Sequence, residues 1–232
     1  MVSPPSARKA ATARRADSPA RTARTPRDER RQALSDVRRA LVLDAASTVF
    51  FEHGLEGTSM REIAQRAGYT PGALYSYFAS KEALYGALLG ESLDRLNLHV
   101  QQALSGRASG TDSLRAAAGA FFDFYRQHPR DLDLGFYLFQ GMKPRGLTPE
   151  LNDTLNARLR DALQPTQDAL LALGMSAPKA VAEVTALFAH AVGLLVLRHT
   201  GRIRMFRQAS QGLFDTYLDQ LVGRALSRTG ES

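Results

Sequence analysis

Between Thr58 and Lys81 the chain reads TSMREIAQRAGYTPGALYSYFASK, and this stretch leaves little choice of local structure. Ser59 stands as an N-cap with Glu62 three residues on, the spacing of a capping box. Ile63, Ala64 and Ala67 then share one apolar face, and Gly68 stops the helix. Thr70 caps the next helix with Pro71 at its first position, where the missing N–H costs nothing. Leu74 and Phe78 lie one turn apart on the inward side, which leaves Pro71, Gly72, Tyr75 and Ser76 facing outward. Ser80 caps a third helix that begins at Lys81. The spacing therefore predicts two short helices joined by a tight turn, followed by a long one.

A helix of under three turns is poorly stable alone. One with small residues at its tip and tyrosines on its open face suits insertion into a DNA major groove. Small residues let backbone N–H groups and the positive end of the helix dipole approach a phosphate. Tyr75, Tyr77 and Lys81 offer hydroxyl and ammonium donors beside it. The same pattern fits an ordinary helical hairpin with solvated tyrosines, because helix-turn-helix geometry also occurs in bundles that bind nothing.

The segment Leu41 to Leu88 closely resembles the DNA-binding domain of the tetracycline-repressor (TetR) family. The resemblance runs through LVLDAASTVFFEHG, LEGTS, REIAQRAG, TPGALYSYF and SKEAL, with Phe50, Gly54, Thr58, Ile63, Ala64, Gly68, Leu74, Tyr75, Phe78, Lys81 and Leu84 in place. It implies a helix-turn-helix from Ser59 to Phe78 bound to double-stranded DNA. In it Arg61 would reach a base edge, Thr70 and Tyr75 would hold phosphates, Tyr77 would hold backbone or a base, and Lys81 would clamp a phosphate. Where the tetracycline repressor has a glutamine able to pair with a base, this chain has Pro71, which has no donor. Base reading is then shifted toward Arg61, Ser76 and DNA shape.

The formal net charge of the 232 residues is +7. All of that excess sits in residues 1–40, which hold eleven Lys or Arg against four Asp or Glu. The leader, rich in Arg, Ala, Ser and Pro and without large apolar residues, cannot bury enough surface to offset its ordering entropy. Residues 1–33 are thus expected to form a basic arm without regular structure, either attracting DNA through counterion release or simply solvated. Its prolines argue against an organellar transit peptide. The first helix is expected from about Asp36 to Glu52, with Val37, Leu41, Ala45, Thr48 and Val49 as its core face and Phe50 alongside, Gly54 as C-cap, and Arg38 and Arg39 opposing its dipole.

The chain has no cysteine, which removes disulfides and thiol chemistry. No uninterrupted apolar run approaches about 18 residues, so a soluble, cytoplasmic protein is expected. Residues 34–84 would form the three-helix DNA-binding domain and residues 85–228 a larger helical domain, in an all-α fold without period-2 strand patterns. The expected later helices are Lys81–Leu104, Asp112–Gln127, Asp131–Gln140, Pro149–Leu173 with a kink at Pro165, Pro178–Thr200 and Met205–Leu226.

Seven of the eighteen Phe and Tyr residues fall between Phe121 and Phe139. Phe121, Tyr125, Phe136, Tyr137 and Phe139 could line an apolar pocket with the tyrosine hydroxyls orienting a ligand, or could simply pack the core. His190, in an apolar helix, is either an effector contact or a core or interface histidine. The family resemblance implies a small apolar effector here, and a homodimer made by the last two helices. No nucleophile motif, phosphate loop or clustered acid–base pair is present, and the five histidines are scattered, so neither an enzyme nor a metal or cofactor site is expected. The reading is a regulator, more specifically a repressor released from a palindromic operator by its effector. The alternative is a relative without a small ligand, controlled by a protein partner or acting as an activator.

Overall fold

A computed structural model describes residues 25–106, 110–136 and 147–227, and all the regular elements among them are helical. In chain order they are α1 (Pro26–Gly57), α2 (Met60–Ala67), α3 (Pro71–Tyr75), α4 (Lys81–Leu104), α5 (Thr111–Gln127), α6 (Pro129–Phe136), α7 (Pro149–Ala172), α8 (Ala177–His199), a 3-10 turn (Arg202–Phe206) and α9 (Ser210–Leu226). Helix α1 begins ten residues ahead of the expected Asp36, so residues 26–33 are helical rather than part of an unstructured arm. Thr25 starts it with a hydroxyl that donates to Asp28 at 2.6 Å and accepts from the Asp28 N–H at 3.2 Å. The remainder of the arm, residues 1–24, lies outside the described residues.

From Arg39 onward α1 supplies a core face that keeps only the C-terminal part of the expected one. Ala45, Val49 and Phe50 are buried as expected and Thr48 is half-buried, but Val37 and Leu41 are exposed, at 59% and 53%, while Val42, Leu43 and Ala46 are buried. Leu41 and Val42 differ by one residue, or about 100° around the helix, and both are apolar. Periodicity in this alanine-rich stretch cannot choose between them. Gly54, in a left-handed conformation (φ 69°), breaks the helix near the expected point, and a final turn to Gly57 follows. Arg39 lies well inside α1: its guanidinium pairs with Glu91 of α4 at 2.8 Å and stands over the Phe78 ring at 5.2 Å. It braces the small domain against α4.

Helix α4 has the expected bounds and joins the two domains. Its first turns pack on the small domain through Leu84 and Tyr85, the Tyr85 ring meeting Phe50 edge-on at 5.6 Å. Further along, Leu89, Leu93, Leu96 and Val100 enter the larger core with Phe121, Phe122 and Tyr125 of α5 and Leu155, Ala162 and Leu170 of α7. Gly86 and Gly90 let α7 come close: a Cβ at Gly86 would lie 2.5 Å from Leu151 Cδ2, and one at Gly90 would lie 3.0 Å from an Arg158 guanidinium nitrogen. Asn97 Nδ2 donates to the Arg158 carbonyl at 2.9 Å, and the Arg158 guanidinium reaches Asp94 at 3.0 Å.

Helix α7 continues through Pro165 as a single element. Helix α9 starts at Ser210, not Met205, because Arg207 takes a left-handed conformation (φ 53°) that ends the 3-10 turn. Helices α8 and α9 are tied by Arg224, which holds Glu183 bidentately at 2.9 and 3.0 Å. By length and composition α8 could cross a membrane, and only a third of its most apolar window is buried. Ala182, Ala186, Ala189 and Gly193 form an exposed, nearly featureless stripe along it.

Candidate nucleic-acid interface

Each short helix of the Ser59–Phe78 unit is capped as its sequence specifies. The Ser59 hydroxyl accepts from the Glu62 N–H at 3.2 Å, and Gly68 (φ 75°) closes α2 while the Tyr69 N–H donates to the Ala64 carbonyl at 2.8 Å. The Glu62 carboxylate lies 3.0 Å from His53 Nε2, and Arg66 forks onto Glu52 at 2.6 and 3.0 Å, so both ion pairs fasten α2 to α1. Thr70 accepts from the Ala73 N–H at 3.2 Å to start α3, with Pro71 in its first turn. Ile63, Ala64 and Leu74 are wholly buried, and they fix the angle between the two helices.

The open face is the one expected from sequence. Arg61, Thr70, Pro71, Gly72, Tyr75 and Ser76 are exposed. Arg61 forms no ion pair among the described residues, and a Cβ at Gly72 would meet nothing within 4 Å, so the approach to the N-terminus of α3 is open. Three residues differ in detail. Ser76 donates its hydroxyl to the Ala73 carbonyl at 2.6 Å, which leaves it only as an acceptor toward a base. Tyr77 is half-buried against the core, with less of its ring available than Tyr75. The Lys81 ammonium donates to the carbonyls of Glu56 and Thr58, both at 3.2 Å, so it ties α4 to the end of α1.

The effector candidates do not form one site. Phe121, Tyr125 and Phe136 cluster with Phe188 of α8 at ring separations of 5.3–5.9 Å, and Phe121 and Tyr125 are fully buried. Burial pushes the Tyr125 phenol far above its ordinary pKa, so it stays neutral. His190 faces elsewhere, stacked on Tyr217 of α9 at 4.3 Å with its Nε2 buried. Tyr137 and Phe139 lie outside the described residues. A groove of about 600 Å³ opens instead between α7 and α8, lined by Leu159, Arg160, Leu163, Val184 and Thr185 and floored by Phe188. It shares only Phe188 with the aromatic cluster. No local signal marks it, because it arises from the angle at which two consecutive helices diverge, which periodicity does not record. Among the described residues no group of acidic, histidine or cysteine side chains is placed to hold a metal.

Two capped helices at a fixed angle with an open, donor-bearing face define a helix-turn-helix unit, here joined by one long helix to a larger helical domain. Residues 42–88 match the family described as bacterial regulatory proteins of the tetR family, and residues 114–221 match a tetracyclin repressor-like C-terminal domain. The chain belongs to the tetracycline-repressor family. It is 46% identical over 101 residues to the HTH-type transcriptional activator FasR of Mycolicibacterium smegmatis, covering 44% of this chain and 42% of that one. It is 35% identical over 91 residues to the HTH-type transcriptional repressor KstR2 of Mycobacterium tuberculosis, covering 39% and 46%. The chain thus matches less than half the length of these curated relatives. Among solved structures, the fold is similar to the transcriptional regulator FadR from Bacillus subtilis in complex with stearoyl-CoA, with a TM-score of 0.62 at 18% identity over 79% of this chain and 97% of that one.

Proposed function

We propose that the protein is a homodimeric transcriptional regulator acting in the cytoplasm, which binds a palindromic operator through two copies of α3 in successive major grooves and is released by a small, largely apolar effector. The observation that carries this reading is the exposed tip of α3. Thr70, Pro71 and Gly72 are small and exposed there, and the Gly72 N–H is left open to a phosphate at the positive end of the helix, flanked by exposed Tyr75 and by Arg61, which has no ion pair among the described residues. The bare stripe of α8 suits a two-fold partner, since small residues let helices approach closely. The α7–α8 groove joins an apolar side (Leu159, Leu163, Val184, Phe188) to polar groups that include Arg160 and the amides of Asn156, Gln164 and Gln167; this mixed lining suits an amphipathic acyl compound, and the FadR neighbour was solved with one. The relatives include both a repressor and an activator, so the same architecture also supports the activator reading.

Selection of bound duplexes from a random pool, at two salt concentrations, tests the first part. The expected result is a palindrome that persists at the higher salt; binding without a preferred site would sink it. Arg61→Ala is expected to relax preference at one position of each half-site, by about 1 to 3 kcal/mol. An unchanged sequence logo for that variant would remove Arg61 from base reading. For the effector, fatty acyl thioesters are expected to raise the melting temperature and weaken operator binding. No response to any of them would favour control by a protein partner.

A further inference from the structure

The turn between α8 and α9 has a surface unlike the rest of the larger domain. Residues 200–209, TGRIRMFRQA, carry three arginines and no acidic residue. Arg202, Arg204 and Arg207 are exposed and form no ion pair among the described residues. Between them Met205 and Phe206 stand out at 76% and 64% exposure, the two most exposed large apolar side chains described. The tip is held in shape. Ile203 is buried beneath it, Gly201 (φ 71°) opens the turn, and Arg207 is the one non-glycine residue with positive φ among those described. Two large apolar groups presented on a fixed, purely cationic platform call for a partner that is anionic and has apolar edges.

The turn also sits at a telling end of the domain. Lys81 anchors the start of α4 to α1, and four residues later the Tyr85 hydroxyl donates to the Leu134 carbonyl of α6 at 2.6 Å. The neighbouring Asp133 pairs with His199, the last residue of α8, at 3.0 Å, and Arg130 of α6 lies over Phe51 of α1 at 5.7 Å. The α8–α9 turn is therefore at the end of the larger domain that faces the helix-turn-helix. Three carboxylates at this end are already engaged: Asp123 pairs with Arg126, Asp131 pairs with Arg95, and Asp133 lies 3.0 Å from His199 Nε2.

We propose that the α8–α9 turn is a second DNA-contacting element, which sets Arg202, Arg204 and Arg207 and the Met205–Phe206 tip against the operator segment between the two half-sites. The inference rests on the DNA-binding reading above. If α8 lies on the two-fold axis, its C-terminal turns come together at the centre of the complex on the DNA side. When two recognition helices occupy successive major grooves on one face of the duplex, the minor groove between them faces the protein. Arginines at that groove's phosphates, with an apolar wedge at its mouth, are the residue types that minor-groove contacts use. Such a contact would read the width and deformability of the central base pairs rather than their edges.

The test uses the full-length protein and the operator obtained by selection. Arg202→Gln/Arg204→Gln is the first variant, since neither residue carries the unusual backbone, and Met205→Ser/Phe206→Ser is the second. The expected result for the arginine variant is an unchanged half-site logo with weaker binding and a shallower salt dependence. The slope of log affinity against log salt should fall by about 0.9 for each phosphate no longer neutralised. Hydroxyl-radical protection of the central base pairs, present with the wild type, should fade with both variants. Wild-type salt slope and central protection in both variants would overturn the inference and leave operator binding standing. Loss of the dimer in sedimentation would also overturn it, assigning the turn to a second copy of the chain, as would binding to anionic vesicles with no effect on DNA. A wild-type protein that selects no site would fail the DNA-binding reading itself, a different and recognisable result.

Discussion

Lys81 shows how one side chain can carry two duties. The family resemblance implies a phosphate clamp, and the Lys81 ammonium donates to the Glu56 and Thr58 carbonyls where α1 ends, acceptors that would otherwise be left unpaired. Lys81→Ala is therefore expected to destabilise the fold by about 1 kcal/mol in urea unfolding, besides weakening DNA binding. A variant with reduced DNA affinity at unchanged stability would show that the carbonyl bonds contribute nothing. Asp133 is a second residue with a signed prediction. Burial raises its carboxyl above the ordinary value of 3.8, although His199 pulls it back. A raised acid favours the folded state while protonated, so stability is lost as pH climbs through the folded pKa. Relative to wild type, Asp133→Asn should thus gain stability as pH rises above about 4, the ordinary carboxylate range, read from urea midpoints. A gap that stays constant with pH would mean that the carboxylate carries no net desolvation cost.

At the scale of elements, the seam between α4 and α7 is the tightest feature, and it connects the helix-turn-helix to the groove. Leu151 occupies the space a side chain at Gly86 would need, and Arg158 lies close over Gly90. Just beyond Arg158, the same helix presents Leu159 and Arg160 to the groove. A ligand that displaced α7 would press on α4 through this seam, because packed interiors transmit strain instead of absorbing it. Gly86→Val is expected to force Leu151 aside at a cost of about 1 to 3 kcal/mol. It should also alter operator affinity without touching the DNA-facing residues. Unchanged thermal stability and operator affinity would show that the close approach is incidental.

At the scale of the whole molecule, the exposed stripe of α8 is the surface proposed to meet a second subunit. Ala189 lies in its middle. Ala189→Arg should turn a dimer into monomers in analytical ultracentrifugation and abolish cooperative binding to the palindrome, while leaving the helical signal intact. A dimer that survives this substitution would place the two-fold interface elsewhere. Because DNA affinity for a symmetric site draws on both half-sites, dissociating the dimer should cost far more than removing any one phosphate-binding side chain.

The sequence by itself determined the local structure of the DNA-facing unit. Ser59, Gly68, Thr70, Pro71 and Ser80 act through bonds to residues within four positions, so caps, turn and open face were legible without knowing the fold. The full-length α4 was legible for the same reason. Packing had to settle which apolar residues early in α1 are buried, that Arg39 braces α4, that Lys81 is engaged with carbonyls, and that His190 stacks on Tyr217 away from the aromatic cluster. The groove between α7 and α8, and the turn from which Met205 and Phe206 stand out, were likewise fixed in three dimensions. The first group depends on partners more than twenty residues away and the second on the angles between neighbouring helices, whereas helical periodicity records the face of a helix without recording what meets it.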